Sequence, residues 1–594
     1  MKINDICRNP WNRIPTMQIY HFLKRANVLV FALILLGRAA SASAEPWKFG
    51  VMGDTQWTAS DPAKANPNTV PVSIIDQVNR QFIEAGVKFV IQVGDLTDSG
   101  SDGSEAIRAA AAQPLIDAGI GFFPFRGNHE TRASDNAYGI PGFQSNYPQT
   151  RTGSFTSSSH KQYKIGSGFS SPSTVGPELV GMSYSFDYGD RENSARFVII
   201  DTWPTMGKSD KKPDGYIYGY TVAEQQGWIS DRLDRKRRRT MHAFVFSHQP
   251  LIAEGHQDTM FSGYTNAHPD WQNRFFASMQ NNGVRYFISG HDHIHQRSII
   301  ASPDGKSRVE EIISASNSSK FYTPKPLDDP KWFGQKVRET SISQERNTVG
   351  YYIYTVDGPR VTVDYYSDDH GNWQSDANYP EGAGKSNTGI TPTFHFVKKE
   401  SWSYSLNGKE FLIPQEMSYT VVKDSFKGTV ARILYGTNNS QARDGSLNTT
   451  GGEGRRLTKT VDTGWIEVER MNGNSAIRKP GRDLYPASNI FNLAGMADPG
   501  CEETDAYVLS ISYDPAGCRK QDLKSGFFGL ATKKGDGKWI NAVDKNFGGD
   551  RKFLEGPWKK SYALGTYGID LNKKTVWAVI NYNGDFAAAR FNNR

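Results

Sequence analysis

The chain has 594 residues, 37% of them hydrophobic and 22% charged, with a formal net charge of +7. That length suggests two or more domains of ordinary globular composition, and beyond the N-terminal region no apolar run is long enough to span a membrane. The charge does not point to nucleic acid: removing residues 1–44 takes away six basic residues and one acidic residue and leaves +2.

In chain order, Lys24 and Arg25 precede the apolar run Val28 to Leu36, and Ala42-Ser43-Ala44 follows as a small-residue cleavage site. This reads as a secretory signal peptide with Glu45 as the first mature residue, a short uncleaved anchor being the alternative. The expected location is the periplasm or the medium. Cys7 leaves with the leader. Cys501 and Cys518 remain as an even pair in an exported chain, which predicts a disulfide, two free thiols being the alternative.

Lys48 to Met52 reads as a short strand ending at Gly53-Asp54-Thr55-Gln56. Val72, Ile74, Ile75, Val78, Phe82 and Ile83 recur at helical spacing over 71–86. Val87 to Val93 is a near-continuous apolar run, expected of a buried strand, and ends at Gly94-Asp95. Residues 104–118 are Ala-rich and helical. Phe122 to Phe125 then lead into Arg126-Gly127-Asn128-His129-Glu130. Residues 131–180 are rich in Ser, Gly, Thr and Asn and read as a long surface insertion. Packing of the loop is the favoured role for its Tyr138, Phe143 and Tyr147, over substrate contact.

Met182 to Tyr188 and Ala195 to Ile200 read as strands. Thr221 and Glu224 form a capping box opening a helix to about Arg235. The basic run Arg235 to Arg239 reads as its solvated C-terminal end rather than an anion-binding patch. His242 to Phe246 is a strand ending at Ser247-His248. A helix near 272–282 and a strand, Val284 to Ile288, lead to Gly290-His291-Asp292-His293. Further strands are expected at 309–315, 349–356 and 360–366. Together these predict an α/β domain over 45–370, a layered sandwich with mixed sheets. Residues 371–395 read as a linker. Over 396–594, short alternating runs such as Ser418 to Val422, Val430 to Tyr435, Trp465 to Val468, Tyr507 to Ser512 and Thr575 to Tyr582 predict an all-β, sandwich-like domain.

Five clusters follow strand-like runs: Asp54/Gln56, Asp95, Asn128/His129, His248 and His291/His293. Strand ends on one side of a layered α/β fold converge on a common crevice. Carboxylate, amide oxygen and imidazole without thiolate suit hard-to-borderline divalent metals. As an ordered set these residues resemble the calcineurin-like metallophosphoesterases, whose motifs are Asp-x-His, Gly-Asp, Gly-Asn-His-Asp/Glu, a lone His and Gly-His-x-His.

The resemblance implies a four-layer αββα fold and an exported hydrolase that cleaves a phosphomonoester or phosphodiester by metal-activated hydroxide. It implies two divalent or trivalent ions (Fe, Mn or Zn). Asp95 would bridge them, Asp54, His293 and position 56 would hold the first, and Asn128, His248 and His291 the second. His129 would be the general acid or a brace for the transition state. Arg126 and His256 are further candidates for substrate contact; a salt bridge within the fold stays open for Arg126 and a structural role for His256. His295 reads as structural, and Asp292 as orienting the turn or a neighbouring His.

Two positions depart from the family. Gln56 stands where His is usual, and Asp98 stands where purple acid phosphatases carry a Tyr ligand. A phosphoester is the expected partner, with no strong nucleic-acid signal. The rivals are a nuclease or cyclic-nucleotide phosphodiesterase, and a non-catalytic envelope protein with a degraded metal site. The near-neutral mature charge speaks against a polynucleotide groove. His129, which has no structural duty to a metal, speaks against the non-catalytic protein.

Overall fold

The computed structural model describes residues 45–594 except for several stretches, the longest being 204–220, 325–337, 369–390, 406–418 and 432–484. Residues 1–44, which read as a signal peptide, most of the expected linker over 371–395, Trp465 to Val468 and Cys501 lie outside the described residues.

Two mixed sheets lie face to face. In the first, strand Trp47–Met52 pairs in parallel with Phe89–Gln92, which pairs in parallel with Gly121–Pro124; on its other side it pairs antiparallel with Gly350–Asp357. The second is eight-stranded, and at its centre Asn193–Ile199, His242–Phe246, Tyr286–Ser289 and Arg308–Ile313 run parallel. Strands with both faces covered read as continuous apolar runs, and Phe89–Gln92, His242–Phe246 and Tyr286–Ser289 are buried throughout.

Between the sheets Phe49 meets Phe197 and Phe244 edge-on, with ring centroids 5.0 and 5.2 Å apart, and Phe89 meets Phe197 at 5.0 Å. Pairs of this geometry contribute about 0.5–1.5 kcal/mol each beyond their burial. Neighbouring side chains on a strand point to opposite faces, so Phe244 faces this inner core while Val245 faces outward. There Val198, Val245 and Phe287 pack against Ile229 and Leu233 of helix Val222–Leu233 and Phe275, Phe276 and Met279 of helix Pro269–Gln280. On the other side helix Val72–Ala85 buries Ile74, Ile75, Val78 and Phe82. Phe82 lies over Gly50, where a Cβ would come within 2.5 Å of its ring. The result is four layers, αββα.

Several details depart from the expected elements. The Ala-rich stretch is two helices, Asp102–Ala111 and Gln113–Asp117, because Pro114 has no N–H to continue the first. The 131–180 insertion contains short helices Ile140–Asn146 and Gln149–Thr152 and an edge strand, Ser167–Ser170. Its Phe143 and Tyr147 are buried in the core, and Tyr138 lies outside the described residues. In the basic run, Arg237 pairs with Asp231 and Asp234, but Arg238 is buried and donates to the Asn282 carbonyl at 2.7 Å. Strands His295–Ala301 and Glu339–Glu345 escaped the hydrophobic pattern because they carry polar residues. Buried Arg297 pairs with Glu310 at 3.2 Å and stacks 3.7 Å from the ring of Trp402.

Trp402 belongs to strand Phe396–Ser405, which sequence patterning assigns to the C-terminal domain. It pairs antiparallel with Arg360–Asp368, and Trp402 and Tyr404 sit in the inner core. The first sheet therefore continues past residue 370 and takes in Thr429–Ala431, Phe491–Leu493, Gly584–Arg590, Phe528–Lys533 and Trp539–Asn541. Its far end packs against a separate five-stranded sheet, Tyr419–Val422, Glu503–Ser512, Thr575–Tyr582, Thr566–Asp570 and Lys552–Glu555, over a second core that includes Leu530, Leu509 and Ile569. Among the described residues the strand-rich C-terminal region also holds a short α-helix, Lys520–Ser525, and a 3-10 turn, Ala542–Lys545. No helix among the described residues is long and apolar enough to cross a membrane.

Candidate active site

The site forms where strands Trp47–Met52, Phe89–Gln92, Gly121–Pro124, His242–Phe246 and Tyr286–Ser289 end, and each contributes the loop that follows it. Asp54, Asp95, His248, His291 and His293 are all buried. Asp95, His248 and His291 bring one potential ligand atom each within 4.8 Å of one another, and so do Asp54, Asp95 and His293. Asp95 is common to both groups.

Close packing of backbone makes this convergence possible. Gly94 has φ +88°, and a Cβ there would lie 2.5 Å from His248 Nδ1. Asp95, His291 and His293 themselves have φ of 46°, 76° and 54°, in the left-handed region that non-glycine residues rarely adopt. Each such residue costs roughly 1–3 kcal/mol and persists only where its surroundings hold it. Here Asp54 accepts the His291 amide at 3.0 Å and Asp95 accepts the His129 amide at 3.0 Å.

Hydrogen bonds to backbone carbonyls set the ring tautomers. His248 Nδ1 donates to Val93 O at 2.7 Å and His293 Nδ1 to Lys320 O at 2.7 Å, so each ring directs Nε2 into the site. His248 Nε2 is 3.3 Å from Asp95 Oδ1, and His293 Nε2 is 3.5 Å from Asp54 Oδ1.

Asn128 bears most directly on a cation. Its Oδ1 lies 3.2 Å from His248 Nε2, 3.2 Å from His291 Nδ1, and 3.2 and 3.3 Å from the two Asp95 oxygens. Toward the Asp95 carboxylate a hydrogen-bonding amide would turn its NH₂. An amide that shares a cation with that carboxylate presents its oxygen. Gln56 Nε2 donates to Asp95 Oδ2 at 3.1 Å, while its buried Oε1 has no hydrogen-bond partner.

The electrostatics agree. Burial, with Asp95 alongside, pushes Asp54 up to about 7 against the pull of His248. For Asp95, burial is outweighed by His248, His129 and His291, which hold its carboxyl well below the usual range. Burial opposes the charge on His248, but Asp95 and Asp54 outweigh it and raise the imidazole to about 10. Burial, and then the charge of Lys320, keeps His293 neutral. Ionised Asp95 thus draws positive charge into the pocket, and a neutral His293 is the form that ligates metal. The donor set fits two metal ions sharing Asp95.

His129 is outside both ligand groups. Its Nδ1 donates to the Asp98 carbonyl at 2.5 Å and lies 3.4 Å from Asp98 Oδ1; its Nε2 is 3.9 Å from Asp95 Oδ2. Sequence reasoning read Asp98 only as a missing tyrosine, whereas here it orients His129; its place three residues after Asp95 was the available signal. Glu130 accepts from the amides of Leu96, Thr97 and Gly127 and ties the two loops together.

Arg126 is 1% exposed and binds Asp201 through Nε at 2.8 Å and Nη2 at 3.1 Å, the salt bridge left open as its alternative role. His256 stacks on His291 with centroids 4.0 Å apart, and its Nδ1 is 2.8 Å from Asp292 Oδ1. Asp292 also accepts the amides of Glu254, Gly255 and His256. His295 lies in the core, with Nδ1 2.8 Å from the Tyr352 hydroxyl and its ring stacked on Tyr365. Sequence reasoning missed Lys320 altogether, because it follows a Ser/Asn-rich stretch with no motif.

Residues 48–295 match the model of the calcineurin-like phosphoesterase family. No curated protein matches the chain. Similar solved structures include a dimetal phosphatase from Danio rerio (14% identity, 54% of this chain and 96% of that one, TM-score 0.33) and PhoD (12%, 61% and 70%, 0.39). Another is purple acid phosphatase PPD1 from yellow lupin, Lupinus luteus (13%, 54% and 51%, 0.35). The matched segment contains all the residues from Asp54 to His293 assembled above, so the site lies wholly within the stretch that matches the calcineurin-like phosphoesterase model.

Proposed function

We propose that the protein is an exported phosphoesterase that hydrolyses a phosphomonoester or phosphodiester with two metal ions. The observation that carries this reading is the pair of His/Asp groups sharing Asp95, with the Asn128 oxygen facing both Asp95 carboxylate oxygens. Asp54, Asp95 and His293 would hold the first ion, with Gln56 Oε1 as the further oxygen. Asp95, Asn128, His248 and His291 would hold the second. Bound ions would supply positive charge against the phosphoryl oxygens and acidify water toward neutrality.

The remaining work falls to the protein. His129, fixed through Nδ1 by the Asp98 carbonyl, keeps Nε2 for a proton to be passed to the leaving oxygen. The Asp98 carboxylate, 3.4 Å from Nδ1, favours the imidazolium needed at that moment. Such help is worth about 10²–10⁴-fold.

Purified protein should lose hydrolysis on chelation and regain it with added metal, assayed on a panel of monoesters, diesters and DNA. Activity undiminished in metal-free buffer would exclude the mechanism. N-terminal sequencing of exported protein beginning at Glu45, and absence of titratable thiol in the oxidised, unfolded protein, test export and the Cys501–Cys518 bridge.

A further inference from the structure

Lys320 spans the site. Its carbonyl accepts from His293 Nδ1 at 2.7 Å, Ser318 Oγ at 2.8 Å and Ser316 Oγ at 3.1 Å, and its amide donates to Ser318 Oγ at 3.0 Å. The backbone is therefore anchored beside a residue assigned to the first metal. The ammonium reaches the opposite side, 3.6 Å from Asp98 Oδ1, close to His129. That distance is too long for a hydrogen bond, and Asp98 Oδ1 is buried without a hydrogen-bond partner.

The segment's placement is built into the fold. Tyr322 is wedged edge-on between His293 and His256, with centroids 4.9 and 4.3 Å away, and Lys320 Nζ lies 5.5 Å from its ring. A Cβ at Gly255 would be 3.2 Å from Tyr322 Cβ, so the two loops pack closely. With its side chain 24% exposed, the ammonium is at the mouth of the site, within reach of solvent and of an entering anion.

We propose that Lys320 contacts the phosphoryl group of the substrate and makes the site select phosphomonoesters. The proposal rests on the phosphoesterase reading above and deepens it. A monoester dianion carries one negative charge more than a diester, and a directed ammonium rewards that extra charge.

The test compares 4-nitrophenyl phosphate with methyl 4-nitrophenyl phosphate, which share a leaving group and differ by one charge. Lys320→Ala keeps the carbonyl that holds His293, so its metal content should match wild type. It should raise KM for the monoester roughly tenfold and leave the methyl diester within about twofold. Phosphate binding to the metal-loaded protein, measured by calorimetry, should weaken by the same factor. Lys320→Arg should recover most of the loss, and Lys320→Gln, which keeps the length without the charge, should not. Equal losses on both esters, or unchanged phosphate affinity, would overturn the proposal; equal losses with a displaced pH profile would show that Lys320 acts through Asp98 and His129. If wild type hydrolyses neither ester, the phosphoesterase reading fails, and phosphate affinity still decides the Lys320 contact.

Discussion

A Cβ at Gly127 would lie 2.1 Å from Asp95 Oδ1, so the carboxylate common to both ligand groups occupies the space that any other side chain would claim. Gly127→Ala should therefore move Asp95 and lower metal affinity by about 10–100-fold, the usual effect of disturbing a ligand's support. Gly119 has φ +77° and nothing near its Cβ, so Gly119→Ala should cost stability of about 1 kcal/mol and leave metal content intact. Metal analysis beside melting curves for the two variants decides this. Equal metal content in both would show that Asp95 has room to move.

Asn128 and His129 are adjacent and should fail differently. Asn128→Ala should weaken the second metal, and added metal should restore part of the activity. His129→Ala should keep its metals and lose kcat, by a factor roughly ten or more greater for an alkyl ester than for a nitrophenyl ester, because an alkoxide needs the proton. Loss of metal from His129→Ala would make it a ligand instead.

The left-handed backbone at His291 predicts a stability difference between two variants that both lack the ligand. Glycine adopts φ near 76° without the steric cost that alanine meets. In metal-free protein, His291→Gly should be more stable than His291→Ala by about 1 kcal/mol, read from chemical denaturation. The reverse order would show that the backbone relaxes once the imidazole is gone.

Acid should loosen the packing around His242. This buried imidazole contacts the Tyr404 hydroxyl at 2.9 Å and Gly358 O at 2.6 Å, and burial lowers it to about 4. The folded state therefore binds its proton less readily than the unfolded chain, near 6.5. The stability this group contributes is present above about pH 6.5 and is lost as pH falls toward about 4, roughly 3 kcal/mol in all. His242→Gln should flatten that part of the stability–pH curve. An unchanged slope would assign the acid sensitivity to other groups.

The sequence by itself determined the ligand types, their order and the strand ends that carry them. Gly94-Asp95, Asn128-His129, His248 and His291-Asp292-His293 each close an apolar run, and a buried strand must end where its chain first meets solvent or a site. Only the tertiary structure decided what lies between those runs. The dual place of Asp95, the turn of the Asn128 oxygen toward Asp95, and the reach of Lys320 to Asp98 join residues far apart in the chain, and no local period encodes such contacts. The same holds for strand Phe396–Ser405. Its alternation announced a strand but not its partner, because register and sheet membership depend on which edge is open, here that of Arg360–Asp368.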